Sequence, residues 1–158
     1  MAQTELSVST FRYPRTLKQF LTYIFGLLTD MFTECYEDTV IVENIPALAG
    51  KTIYNLFVAR RGYTITSIDY VPDVAQGGAL TACVVKATGT ATPSTGTTPM
   101  QSSTTGINLN GTAHTVQSIA LTATAADLVL AAGNRIALVL SGAMTTGSGV
   151  LTIRMTKT

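Results

Sequence analysis

The stretch GVLTIRMT, residues 149–156, decides the fold. Leu151, Ile153 and Met155 point one way from an extended chain and Thr152, Arg154 and Thr156 the other, the period of a strand with one face on a core and one toward solvent. Working back from it, short apolar runs recur at Thr39 to Val42, Ile53 to Val58, Tyr63 to Val71, Leu80 to Ala87, Thr115 to Thr122, Leu128 to Leu130 and Ile136 to Leu140. Turn signals separate them: Ala49-Gly50, Arg61-Gly62, Gln76-Gly77-Gly78, Asn110-Gly111, Ala132-Gly133-Asn134 and Gly147-Ser148-Gly149. About eight short strands at this spacing, with no later helical pattern, predict a mainly β protein built as an antiparallel β-sandwich, residues 38–158.

Composition points the same way. Threonine is roughly a sixth of the chain and lies mostly in the second half beside alanine, valine and glycine, a mixture that favours strands and turns. At 158 residues, one core burying roughly two-thirds of the unfolded surface is expected. Apolar residues are 46% and charged residues 12%, which excludes a disordered chain. Ten Lys and Arg against nine Asp and Glu leave a net charge of +1, too little to hold a phosphate backbone or an anionic membrane surface. No nucleic acid and no membrane is therefore expected as partner. After Asp73 the only charges are Lys86, Asp127, Arg135, Arg154 and Lys157. Hydroxyls keep such a domain soluble, which suits a sandwich whose flanks neighbouring subunits cover.

From Thr88 to Gly106 the sequence is almost entirely Thr, Ser, Gly, Ala and Pro, with Met100 and Gln101 the main exceptions. A loop of this length is expected to be mobile or held against another subunit, with Ile107-Asn108-Leu109 starting the return into the sandwich.

Ahead of the strands, residues 1–13 read as an N-terminal arm and residues 14–37 as one amphipathic α-helix. Pro14 suits a first helical turn, and Leu17, Phe20, Leu21, Ile24, Leu27, Leu28, Met31 and Cys35 recur at three- and four-residue steps as one apolar face. Two readings stand: the helix packs on its own domain, or it is buried in an assembly interface. Arg12, Arg15 and Lys18 crowd its start while Asp30, Glu34, Glu37 and Asp38 crowd its end, the reverse of what the helix dipole favours. Compensation from outside is expected, with the basic start meeting an acidic partner surface and the apolar face seaming copies together. The run Phe20 to Phe32 is too short and too polar to cross a bilayer. Met1-Ala2-Gln3-Thr4-Glu5 opens no secretory signal pattern, so synthesis in a cytoplasm is expected.

Catalytic constellations are absent from the pattern. The one histidine, His114, has Ser118 and Asp127 as formal triad partners, but no Gly-x-Ser-x-Gly turn presents a nucleophile, and a histidine at the start of a strand is the plainer reading. After Asp73 only Asp127 remains as a carboxylate, too few for a glycosidase pair. Glu34, Glu37, Asp38 and Glu43 lack the spacing of a calcium loop, and Cys35, Cys83 and His114 are too far apart for a zinc site. Each cysteine reads as a small buried hydrophobe. The glycines around Gly89 and Gly147 lack the Lys-Ser/Thr ending of a phosphate loop. Arg60 and Arg61 could contact an acidic partner but read more plainly as solvated or paired within the domain, and Asp127 with Arg135 as a local ion pair. No catalytic residue, cofactor or metal is expected.

GTAHTVQSIALTATAADLVLAAGNRIALVLSG, residues 111–142, followed by Gly149-Val150-Leu151-Thr152, resembles small structural proteins of tailed bacteriophages, the capsid decoration or cement proteins. Their pattern runs from a Thr/Ala strand into Leu-x-Leu-x-x-Gly-Asp-Arg and a hydrophobic strand, then a Gly-rich hairpin and a terminal strand. Leu128, Leu130, Gly133, Arg135 and Ile136 match it, while Asn134 stands where the pattern has Asp. The likeness extends more weakly back to Ile53 and leaves the first fifty or so residues unmatched.

The resemblance implies a jelly-roll-like sandwich, commonly trimeric, that sits outside a capsid and clamps neighbouring copies of the major capsid protein. The expectation is accordingly a virion structural protein of the outer capsid surface, a homotrimer that stabilises the shell. Leu17, Phe20, Leu21, Ile24, Leu27, Leu28 and Met31 would form the oligomer or capsid interface, and Arg12, Arg15 and Lys18 would contact capsid. The alternative is a receptor- or carbohydrate-binding module of a head fibre or tail. Against it, Trp is absent and no aromatic follows Tyr70.

Overall fold

Strand β9 (Ser148–Lys157) alternates as its sequence predicts: Leu151, Ile153 and Met155 are at most 1% exposed, while Arg154 is exposed and Thr152 and Thr156 are half-buried. The computed structural model describes residues 24–25, 38–48, 50–94 and 97–158. The chain divides into two units, Met1–Glu37 and Asp38–Thr158. In the first, Ile24 and Phe25 are described and both are helical; the expected arm, and the expected helix apart from these two residues, lie outside the described residues.

The second unit is mainly β, two antiparallel sheets packed face to face. In the first sheet β9 is flanked by β1 (Asp38–Pro46) and β3 (Tyr63–Val74). The far edge of β3 is shared between β6 (Gln117–Ser118), opposite Asp69 and Tyr70, and β7 (Val129–Leu130), opposite Tyr63 and Thr64. The second sheet has the order β2 (Ile53–Val58), β8 (Arg135–Leu140), β4 (Thr81–Ala87), β5 (Ile107–Asn108). The main core lies between them, with Ile41, Ile45, Ile65, Ile68, Tyr70 and the three β9 residues meeting Tyr54, Ala82, Val84, Ile107, Ile136, Leu138 and Leu140. Each fully buried aliphatic side chain here contributes about 1.5–3 kcal/mol.

The two sheets differ on their outer sides. TACVVKA and RIALVL in β4 and β8 are almost unbroken apolar runs because both of their faces are covered. Cys83, Val85, Ala137 and Val139, outward on the second sheet, form a separate buried cluster with half-buried Ile53. Outward Arg135 donates to the carbonyls of Gly89 at 3.0 Å and Ala91 at 2.6 Å, which ties the start of the long loop to that side. These bonds stand where an ion pair with Asp127 was expected.

The long loop is pinned to its own sandwich, which corrects the expectation of a mobile or subunit-bound segment. Met100 and Gln101, the two breaks in its low-complexity run, are 0% and 2% exposed. Lys86 N–H donates to the Thr98 carbonyl and Met100 N–H to the Val84 carbonyl, so residues 98–100 run beside β4 past the end of β5. The expected strand Thr115 to Thr122 shrinks to β6 for a related reason. Beyond Ile119, whose N–H donates to Ile68, the chain leaves β3: Ser102 N–H bonds Ala120, and Thr122 N–H bonds Met100. The segment thus crosses from the first sheet to the strap beside the second and closes one side of the sandwich. A helical turn, Ala125–Leu128, follows it where no helix was expected. Lys86 Nζ holds that turn through the carbonyls of Ala126 at 2.7 Å and Val129 at 3.1 Å.

Candidate functional site

Of the residues expected to form the assembly interface, Ile24 is described: it is helical and half-buried, beside a Phe25 that is 65% exposed. Leu17, Phe20, Leu21, Leu27, Leu28 and Met31, and the expected capsid contacts Arg12, Arg15 and Lys18, lie outside the described residues, as does Cys35.

The titratable groups of the sandwich are dispersed. His114 is exposed in a left-handed backbone conformation (φ 59°), where its N–H reaches the Pro72 carbonyl at 2.7 Å. Ser118 turns its hydroxyl to Asp69 Oδ1 at 2.7 Å, so Ser118, His114 and Asp127 are not brought together. Burial pushes the Cys83 thiol up to about 11, which leaves it protonated and poorly nucleophilic at neutral pH. Burial, with a smaller contribution from the Asp73 carboxylate, pushes Tyr70 up to about 12; its hydroxyl is buried with no hydrogen-bond partner. Among the described residues no three His, Cys, Asp or Glu side chains converge on a metal-sized site. No helix among them is long and apolar enough to cross a membrane. Arg60 and Arg61 are both exposed at the end of β2.

What the sandwich offers instead is surface. The β4 margin of the second sheet is closed by Gln101, whose side-chain amide imitates a neighbouring strand. Its Oε1 accepts from Val84 N–H at 3.0 Å, and its Nε2 donates to the Ala82 carbonyl at 3.1 Å and the Ser103 carbonyl at 2.6 Å. The outward face of the first sheet has no comparable cover among the described residues. Strand pairing sets its side chains in rows: Val40, Arg154 and Ser67; Val42, Thr152, Asp69 and Ser118; Asn44, Val150 and Val71. Val40 and Val42 are 44% and 61% exposed. The remaining members are mostly threonine, serine and half-buried valine, and Asp69 and Arg154 are the charges on these rows. A flat, charge-poor sheet face with β-branched side chains standing in water is a candidate contact surface.

The valines of β1 were not singled out by the sequence because Val40-Ile41-Val42 is apolar throughout and shows no face until Ile41 and Ile45 are seen in the core. Alternation in β9 was the usable signal: it names Thr152 and Arg154 as outward, and everything paired with them shares that face. Comparison with protein-family models, with curated proteins and with solved structures returns no match for this chain.

Proposed function

We propose that the sandwich is a jelly roll and that the protein is a virion structural component, a decoration protein that binds the outside of a tailed-phage capsid as a trimer and stabilises it. The observation that carries this is the order of strand pairing. β4 pairs β5, β3 pairs β6, β2 pairs β8 and β1 pairs β9, so the chain pairs from the middle of the domain outward, as one long hairpin rolled into two sheets. β7 is an addition beside β3.

A fold alone carries no function. Support for the capsid role comes from the residues that resemble decoration proteins. Leu130 and Ile136 are fully buried, and Gly133 takes the positive φ of 86° that its turn requires. Asn134, which replaces the family's Asp, keeps an acceptor at that turn: its Oδ1 takes the Ala131 N–H at 2.9 Å. Support comes also from the outward face of the first sheet, a flat, charge-poor surface on which Val40 and Val42 stand in water. The partners are then the major capsid protein and sibling subunits, and the protein's place is the outer face of the virion after synthesis in the host cytoplasm.

The test is co-sedimentation of the purified chain with empty shells of the major capsid protein encoded beside it. Binding is expected, together with a trimer in solution, and Ile24→Asp combined with Leu28→Asp should abolish both. A monomer that leaves shells unoccupied, or one that binds defined glycans on an array instead, overturns the proposal.

A further inference from the structure

Two charges on the outward face of the first sheet lack partners within the sandwich. Arg154 is exposed and makes no hydrogen bond or ion pair among the described residues. Asp69 engages one carboxylate oxygen with Ser118 and leaves the other free. The pairings Arg154 with Ser67 and Thr152 with Asp69 put the two charges on adjacent strands, one step apart diagonally, roughly 7–8 Å. An arginine side chain can span that diagonal, yet the two groups make no bond to each other within one copy.

We infer that this face is a self-complementary contact between two copies of the chain, related by a two-fold axis lying in the plane between the sheets. The axis follows from the choice of that pair: it runs perpendicular to the Arg154–Asp69 diagonal, so that each Arg154 meets the Asp69 of the other copy. Its consequences can be followed on a flat grid with strands about 4.8 Å apart and side chains on one face about 6.6 Å apart along a strand. Thr152 then lies within about 1–2 Å of the axis and faces its own counterpart, while Ser67, whose hydroxyl is buried, adds no contact group there. Val42 also falls close to the axis and meets Val42 of the other copy. Val40, off the axis, lands over the other copy's Val71, with Val150 beside it. The operation that pairs the charges therefore also covers the two exposed valines of β1 with valines, although the valines played no part in choosing it.

Four strands by about seven residues present roughly 450 Å² per copy, or about 900 Å² in total, below the size of stable interfaces. The contact is weak in dilute solution and forms where copies are concentrated. It does not depend on capsid attachment and would stand if that proposal failed.

The test uses Arg154→Glu and Asp69→Lys, two exchanges of solvent-facing side chains, in the full-length chain. Sedimentation velocity up to roughly millimolar concentration should show the wild type doubling its mass, whatever its basal oligomer, and each variant alone should associate about tenfold more weakly. An equimolar mixture of the two variants should regain wild-type association, because the introduced glutamate of one then meets the introduced lysine of the other across the axis, and the retained Asp69 meets the retained Arg154. In a Cys35→Ser background, Thr152→Cys should be joined to itself by a short bis-maleimide, and Val58→Cys, exposed on the second sheet, should not. Circular dichroism checks that each variant is folded. Absence of doubling in the wild type, or a mixture that associates no better than its components, overturns the inference. So does a Thr152→Cys chain that stays uncross-linked but is shielded by capsid shells, since the shell is then the occupant.

Discussion

Truncating Gln101 to alanine should be among the most damaging single changes in the protein that leave its backbone geometry untouched. Three hydrogen bonds disappear, from Val84 N–H, to the Ala82 carbonyl and to the Ser103 carbonyl. Ser103 is exposed and regains water, but Val84 and Ala82 are at most 1% exposed, and their orphaned groups lie under the strap. Each buried orphan costs about 1–3 kcal/mol, so the expected loss is about 3 kcal/mol, toward the lower end of the summed range if water enters the vacated space. For a domain of this size that corresponds to a melting temperature lower by about 10 °C.

Chemical denaturation gives the free energy, and amide hydrogen exchange localises it. Protection should fall first at Val84, then at Lys86 and Met100, whose N–H groups hold the same strap. Gln101→Glu separates bonding from volume. Its carboxylate still accepts from Val84 but faces two carbonyl oxygens in place of the amide donor, so this variant should be weakened at neutral pH and recover part of its stability on acidification. If Gln101→Ala melts within a degree or two of the wild type with Val84 still protected, the amide is not the clasp that closes this margin.

Tyr70→Phe removes a buried hydroxyl that bonds to nothing, so stability near neutral pH should be unchanged or slightly higher. The folded chain keeps the Tyr70 proton to about 12 against 10.0 for the free phenol, so this contribution to stability is whole below pH 10 and is lost as pH rises toward 12. The wild type should therefore lose about 2–3 kcal/mol more than Tyr70→Phe across that window, measured by urea unfolding at each pH. Gly149→Ala should fail to fold or lose several kcal/mol, because the added Cβ would lie 2.6 Å from both Tyr70 Cζ and the Val71 carbonyl oxygen; soluble yield and a thermal melt decide it.

Strands whose pattern is local were legible in the sequence. Ile53 to Val58 is β2 to the residue, and β9, β8 and β4 differ from their apolar runs by one or two residues at an end. The reading failed where pairing changes partners. The run from Thr115 to Thr122 is extended and partly apolar, yet only Gln117 and Ser118 stay on β3, because Ala120 and Thr122 are claimed by the strap. No periodicity records such a switch, since both halves look like strand. The strap was hidden differently: a Thr, Ser, Gly and Pro run reads as loop, and only the side chains of Met100 and Gln101 betray that it is anchored. The contact face was half legible, through the outward threonines and arginine of β9, while β1 could be assigned to it only by register.

The asymmetry between the two sheets bears on how copies of this chain meet. An exposed sheet margin invites pairing with any strand, whereas a sheet face selects by shape and charge. The β4 margin of the second sheet is closed by residues 98–102, and the outward side chains Cys83, Val85, Ala137 and Val139 of β4 and β8 are buried. β1 and β2 each keep an outer margin free of any partner strand among the described residues; β1 carries half-buried Glu43 beside the core residues Ile41 and Ile45 and ends at Pro46, and β2 is broken by a bulge between Asn55 and Phe57, features that discourage a further strand. The least guarded surface is then the outward face of the first sheet, where two valines stand in water and two opposite charges sit one diagonal apart. A chain that straps one sheet margin and interrupts others while leaving one flat, self-matching face open is built to associate in a defined geometry, and only when its copies are brought close together.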